Sequence, residues 1–389
     1  MEANLKRRDF LGNAIQSAAL LGLPLLNSRA VAAAEAALST RHVTLASSLA
    51  LTGILAGSAA DISAGLQAAF RSANRSGGVN GREIKLLTMD DGYVASRTAD
   101  NAKEVIASGS AVAMLSGQGT PNHAAMLPIT EAAGMPVVGP ITGADSLRQE
   151  KYRYTFHVRA SYRDETRRLV QQMNAMGLKD LAIVYLDNAY GKEVLGYANE
   201  AFKEQNITSI GTFALDVAGK NGEELAKKVV DANPGAVFLI TTGTANTSFM
   251  MPFRQLKPAL PLAGTSVSVV TSEMDKLGEK LNGYAQAAVI PYAKKESLQV
   301  VRTYQADMLA IDQGPRIGGS SFEGWINAQV MLEGLRRAGK DLTRESLRAG
   351  LAGIQRYDMG GFMVNYASSP FVGSRYIDMA IYGSGGRRM

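Results

Sequence analysis

The sequence predicts an α/β fold of two doubly wound parallel-sheet lobes, and three observations predict it. Strand-like and helix-like segments alternate from His42 to Gly243, which calls for parallel sheets covered by helices on both faces. The alternation runs through one cycle, reaches "YTFHV", and then starts again. At 389 residues, the chain is longer than one hydrophobic core usually supports. Apolar residues at 46% can fill two cores, and no short tandem period suggests a solenoid.

The first segment stands outside that pattern. Residues 1–34 combine a basic start, an apolar run and a small-residue tail, the build of a cleaved export signal. Arg7-Arg8 before Asp9-Phe10-Leu11 resembles the twin-arginine motif of bacterial export, and Ala30-Val31-Ala32 or Ala32-Ala33-Ala34 offers a cleavage site near Ala32 or Ala34. Asn13, Gln16 and Pro24 interrupt the apolar run, which favours a signal over the alternative of a membrane-anchoring helix. The segment carries Lys6, Arg7, Arg8 and Arg29 against Glu2 and Asp9, so its removal lowers the net charge from +6 to +4. That small surplus is spread along the chain without basic-aromatic clusters, and nucleic acid is excluded as a partner.

The elements follow in order. "HVTLASSLAL" reads as a strand, and "AADISAGLQAAFRSANRSGG" as an amphipathic helix closed by Gly77-Gly78. Asn80-Gly81 reverses the chain into "EIKLLTMDD", a core strand over 83–89, and "RTADNAKEVIASGS" is the next helix. "AVAMLSG", "NHAAMLPITEAAG" and "PVVGP" continue as strand, helix and strand. After "YTFHV" come a helix over Asp164–Met176, strand "LAIVYLD" and helix "GKEVLGYANEAFKEQ". Strand "IGTFAL", helix "GEELAKKVVDANP" and strand "AVFLITTG" complete the second cycle.

The sequence carries no complete catalytic signature. There is no cysteine, which excludes disulfides, zinc thiolates and thiol nucleophiles. His42, His123 and His157 are far apart and read as structural. Gly117-x-Gly119 lacks the third glycine of a dinucleotide loop, because Asn122 stands there. "GTSVS" ends in Ser268 where a nucleophile elbow needs glycine. Asp90 and Asp91 are adjacent on a strand and so point to opposite faces, a poor geometry for a shared proton or metal. The chain reads as a non-enzyme without cofactor.

The polar loops offer binding instead. In "LSGQGTPNHAA" a strand ends at Leu115, Thr120 serves as a helix N-cap and Pro121 opens the helix. "GPITGADSLR" repeats the device, with Thr142 and Gly143 before an Asp-capped turn. Such ends present unpaired N–H groups and the positive end of a helix dipole, and can hold a carboxylate without a formal cation.

The segments "GLQAAFRSANRSGGVNGREIKLLTMDDGY", "GTPNHAAMLPITEAAGMPVVGP", "YTFHVRAS", "VYLDNAYGKEVL", "PGAVFLITTG" and "SSFEGWINAQVMLEGLRRAGKDLTRESLRAGL" together resemble the leucine/isoleucine/valine-type solute-binding proteins of bacterial ABC transporters. The likeness covers essentially everything after the signal. It implies the type I periplasmic binding fold: two lobes joined by a three-crossover hinge, closing on a small-molecule ligand in the periplasm. It further implies an ABC permease in the inner membrane as partner, passage through the export translocase, a monomer, and a non-enzyme. Lobe one would hold 41–158 plus 291–360, and lobe two 159–290 plus 361–389. A ligand-sensing protein of the same fold, feeding a signalling partner, is the alternative.

The resemblance also assigns candidate site residues. Thr120 would give its hydroxyl to a ligand carboxylate, with Gln118 beside it, and the Ile141-Thr142-Gly143 loop would add backbone and hydroxyl groups. Gly143 occupies the family's second hydroxyl position, so its N–H or Thr142 would substitute. Tyr190 would cover the ligand from the second lobe, Thr244 would follow the strand "AVFLITTG", and Tyr93 would line the cleft. Asp90 and Asp91 would be structural, capping the next helix. Amino-acid-binding members hold an ammonium with acids where this chain has Tyr162 and, in "GTSVSVVTSEM", Ser266 and Val267. The departures favour a small carboxylate or polar neutral solute, aromatic bodies included. An amino acid held by Glu323 or Asp164 is the second possibility, and a solvated helix-start glutamate is the other reading of Glu323.

Overall fold

The computed structural model describes residues 41–311 and 317–388. The export-signal reading falls on residues outside that range.

The first sheet takes β1 (His42–Leu49), β2 (Glu83–Asp90), β3 (Met114–Leu115), β4 (Val137–Val138) and β5 (Thr155–Phe156). Their order is β2-β1-β3-β4-β5, with every pairing parallel. Three helices connect the first four strands: α1 (Ala56–Arg75), α2 (Ala95–Ser108) and α3 (Thr120–Ala132). The two-residue strands β3 and β4 are shorter than expected. The pairing nevertheless continues past them, with Val112 N–H on Thr44 O at 3.0 Å and Ser116 N–H on Val138 O at 3.0 Å.

The second lobe begins with α4 (Tyr162–Ala175) and runs β6 (Asp180–Leu186), α5 (Ala189–Glu204), β7 (Thr208–Leu215), α6 (Gly222–Asp231) and β8 (Ala236–Ile240). It continues through α7 (Gly243–Leu256), β9 (Leu262–Gly264), α8 (Thr271–Leu277) and β10 (Tyr284–Ala288). The chain then returns to the first lobe as α9 (Gln299–Leu309), α10 (Gly319–Ala338) and α11 (Arg344–Ala352), followed by the short antiparallel pair β11 (Tyr357–Asp358) and β12 (Met363–Val364). It ends as β13 (Asp378–Tyr382), antiparallel to β10, at the edge of a second sheet ordered β13-β10-β9-β8-β6-β7.

Strand alternation divides the first sheet between two cores. Leu45, Leu115 and Val138 pack with α1 and α10, whereas Ala46, Met114 and Val137 face the α2–α3 side, and that core continues into the second lobe. Phe362, Val364 and Tyr366 lie in the core of the first lobe. The last return therefore comes after Tyr366 rather than at residue 360, because these apolar residues are buried only on that side.

The Gly/Asn turn and the acidic pair have clear places. Asn80 and Gly81 adopt φ 53° and 80°, and Val79 and Arg82 exchange backbone bonds of 2.9 and 3.0 Å, so the chain reverses there. The strand that follows is an edge strand, not a central one: among the described residues β2 pairs only with β1, and Glu83, Lys85 and Leu87 are exposed. Asp91 is buried and accepts from Ser48 Oγ (2.8 Å), Thr98 Oγ1 (3.1 Å) and the Tyr93 N–H (2.9 Å). Burial raises its carboxyl above the ordinary range, and these donors partly offset it. Asp90 faces the other way and accepts from Thr52. Val94, not an acid, is the N-cap of α2, so the pair anchors the helix start without capping it.

Candidate ligand-binding cleft

The carboxyl ends of parallel strands from both sheets face each other across a cleft of about 840 Å³. That is where open α/β sheets place ligands, and the size is in the range of small-molecule sites. From the first lobe come Ser58 and Ile62 of α1, Tyr93 after β2, Gln118 to Thr120 after β3, and Ile141 after β4. The second lobe contributes Tyr162, Tyr190 after β6, Thr242 after β8, and Ser266 and Val267 after β9. Glu323, from the first turns of α10, also lines it.

Each first-lobe group is fixed by local structure. Gln118 pairs with Ile141 as a parallel bridge, and its Nε2 donates to Ser58 Oγ at 2.7 Å. Gly119, not Thr120, is the N-cap of α3, with Thr120 the first helical residue. The hydroxyl of Thr120 is bonded to that of Thr142 at 2.8 Å. Beneath this loop His123 is fully buried, with Nδ1 2.8 Å from Gly119 O.

Three expected contacts are moved by the structure. Thr142 is buried behind Thr120, and Gly143 lies under Tyr162, whose N–H donates to Gly143 O at 2.8 Å. A Cβ on Gly143 would sit 2.5 Å from Tyr162 N, so glycine is needed for that cover. Neither Thr142 nor Gly143 reaches the cleft surface, because the second lobe's tyrosine fills the place expected for ligand. The turn after them is not capped by aspartate either: Ala144 precedes it, and Asp145 pairs with Arg163 Nε at 2.8 Å. Thr244 is exposed in the first turn of α7 and away from the lining, where Thr242 stands instead.

The second-lobe aromatics form a pair. The Tyr162 and Tyr190 rings lie 5.1 Å apart and tilted, and Tyr190 Oη is 2.8 Å from Thr265 Oγ1. Burial raises both hydroxyls well above their ordinary pKa, and Tyr93 to about 12, so all three are neutral phenols at neutral pH.

Two charges that the sequence reading did not single out, Arg159 and Glu165, join Glu323 at the cleft floor. Arg159, on the crossover after β5, is buried against Glu165 and Glu323, each 3.5 Å from a guanidinium nitrogen, and it also donates to Ser266 Oγ. Glu165 Oε2 accepts the Ser266 N–H at 2.8 Å. Burial pushes both carboxyls above the ordinary range, and Arg159 draws them back down. The guanidinium itself is held protonated: burial opposes its charge, and Glu323 and its other neighbours outweigh burial. Glu323 is thus paired, not a solvated helix-start residue. Asp164 accepts from Ser161 Oγ at 2.8 Å, at the start of α4 and off the lining, which removes it as an ammonium partner. The sequence signal for the missed pair was a basic residue directly after the "YTFHV" strand, followed by an acid in the next helix's first turn.

The lobes touch around this site. Asn188 Nδ2 donates to Tyr93 Oη at 3.4 Å, and Ser146 Oγ donates to Glu193 at 2.7 Å. Two of the crossovers run side by side, Ser374 N–H donating to Val158 O at 2.9 Å and Gly373 N–H to His157 O at 2.8 Å. Arg148 joins them, its Nη2 donating to Arg159 O at 3.0 Å and Ala160 O at 3.2 Å and its Nη1 to Phe371 O on the other. Among the described residues no helix is long and apolar enough to cross a membrane, and no side-chain group is arranged to hold a metal.

A family model described as "Periplasmic binding protein" matches residues 42–372. No curated protein sequence matches. Among solved structures, a substrate-binding periplasmic protein from Ralstonia solanacearum is similar at 27% identity and a TM-score of 0.83, over 89% of this chain and 99% of that one. A solute-binding protein of an ABC transporter from R. palustris, in complex with benzoate, shares 17% identity and a TM-score of 0.81 over 90% and 95% of the two chains. A branched-chain amino acid ABC transporter protein from Thermus thermophilus, with bound valine, gives 18%, 0.80, 90% and 95%.

Proposed function

The chain belongs to the periplasmic binding protein family, and from that premise we propose that it is the substrate-binding component of an ABC importer. It is exported behind the signal of residues 1–34, works in the periplasm as a monomer, and delivers a small organic solute to an inner-membrane permease. The observation that carries the reading is the cleft itself, lined by residues of both sheets and bordered by paired crossovers that allow the lobes to close.

The solute has a carboxylate or other polar head at Gln118 and Thr120 and an apolar or aromatic body against Tyr93, Tyr162 and Tyr190. Both acids near this surface, Glu165 and Glu323, are already engaged with Arg159, which disfavours an isolated ammonium there. One observation supports a second reading. Two carboxylates share one guanidinium, so the cluster retains a negative charge that an amino acid's ammonium could neutralise at Glu323.

Calorimetry on the mature protein with leucine and with 4-methylpentanoate, the same skeleton without the amine, separates the two. Tighter binding of the acid supports the first reading. Tighter binding of the amino acid, abolished in E323Q, supports the second. If a broad solute panel neither binds nor raises the melting temperature, the uptake function fails.

A further inference from the structure

The cleft is longer than the candidate site just described. Its lining runs from Tyr190, after β6, across β8, β9 and β10 to Ala380 and Tyr382 on the outermost strand β13. That is four strand spacings of about 4.8 Å, or roughly 19 Å. An extended chain covers about 3.5 Å per three backbone bonds, so a small amino acid fills a minor part of such a length. The far half is walled by Met274 of α8 and by the Tyr292–Lys294 segment after β10, and it is closed by the C-terminal turn with Arg387 and Arg388.

The far end is electrically different from the floor. Arg388 is fixed by Asp378 at 2.9 Å and lies 4.8 Å from the centre of the Tyr292 ring. Lys294 and Arg387 are exposed on the lining, and neither has an ion pair among the described residues. Asp275 lines the same end and is engaged with a partner of its own. Among the described residues, two cations without an ion pair thus border a channel that opens into the tyrosine-lined floor.

We propose that this far half is a second subsite, and that the solute is an elongated, two-ended molecule whose anionic tail, a carboxylate, sulfonate or phosphate, reaches Arg387 and Lys294. This rests on the solute-binding function proposed above and narrows its substrate class: a polar head at Gln118 and Thr120, an apolar body, and an anion at the other end.

Calorimetry with α,ω-dicarboxylates of increasing length, each beside the monocarboxylate of the same length, tests it. The expected result is a dicarboxylate preference of tenfold or more that appears only above a threshold length. In the surface double variant R387A/K294A, that ratio falls at least tenfold. Binding confined to short solutes, or a preference unchanged in R387A/K294A, overturns the subsite and leaves the uptake function standing. No binding by any solute, short or long, removes both.

Discussion

Substituting Gly57 by alanine separates closure of the cleft from contact with the solute. Gly57 lies in the first turn of α1, on the first lobe, and a Cβ there would come 2.5 Å from Ser272 Cβ and Oγ on α8 of the second lobe. Carbon atoms in ordinary contact stand about 3.5–4.0 Å apart, so the methyl overlaps its neighbour by at least ~1 Å whenever the lobes meet as described. Ser272 Cβ is tied to its backbone and cannot swing away, so α8 or the whole lobe must shift. Overpacking of this kind costs about 1–3 kcal/mol, and here it falls on the closed arrangement alone. At 1.4 kcal/mol per tenfold, the expected loss of affinity is roughly 5- to 150-fold. In the open form nothing opposes the methyl, and alanine favours a helix over glycine by up to ~1 kcal/mol. Calorimetry should therefore show weaker binding by G57A, while scanning calorimetry of the unliganded protein shows a melting temperature equal to or above that of the unaltered chain. Unchanged affinity, with the same ligand-induced compaction in small-angle scattering, would refute the closure geometry.

Other expectations follow from the same structure. Removing the Thr120 hydroxyl in T120V should weaken carboxylate binding by about tenfold, the order of one hydrogen bond to a charged group, as read by calorimetry. R159L leaves Glu165 and Glu323 buried without their cation and should cost about 3–5 kcal/mol in denaturant unfolding, much of it recovered in R159L/E165Q/E323Q. Burial lowers His123 to about 4 and His157 well below its ordinary value. Both are neutral when folded, so the stability they contribute is present above pH ~6.5 and is lost as pH falls toward their folded values. For His123 the loss approaches roughly 3 kcal/mol by pH 4, and H123N should flatten the decline seen in unfolding at pH 7 and pH 4.5. Asp91, Glu165 and Glu323 act with the opposite sign, because burial raises their folded pKa.

Period and punctuation made most elements legible. The 3.6-residue pattern marked α1 and α5, and short apolar runs bounded by turns marked β6 and β8. What those patterns do not carry is the identity of a neighbour. β2 lies at an edge rather than inside the sheet, and the charges Glu83 and Lys85 within it are the local signal of that, although which strand it pairs with is decided by contacts far away in the chain. The site divides in the same way. Thr120, Gln118, Tyr93 and Tyr190 stand on the lining because they directly follow strands or open helices. Thr142 and Gly143 follow a strand too, and are hidden by Tyr162 from the other lobe, which no local pattern reports. Arg159 was passed over for a related reason. A lone arginine in a connecting segment looks like surface until Glu165 and Glu323, from two different helices, converge on it.

The crossovers also govern the order in which the protein can be made. β1 belongs to the earliest part of the folded chain, yet the core on its Leu45 side is completed by α10. The turn at Asn80 is tied to Leu335 O at 3.0 Å, across 255 residues. The second sheet, nearly whole by β10, waits for β13 to cover its edge. During synthesis the first lobe must wait for nearly all of the second to be made, the second must wait for the end of the first, and contacts this distant close slowly. A chain cut after α11 would leave its mark on both lobes: the first without its β11–β12 pair and the Phe362–Tyr366 packing, the second with an open edge at β10.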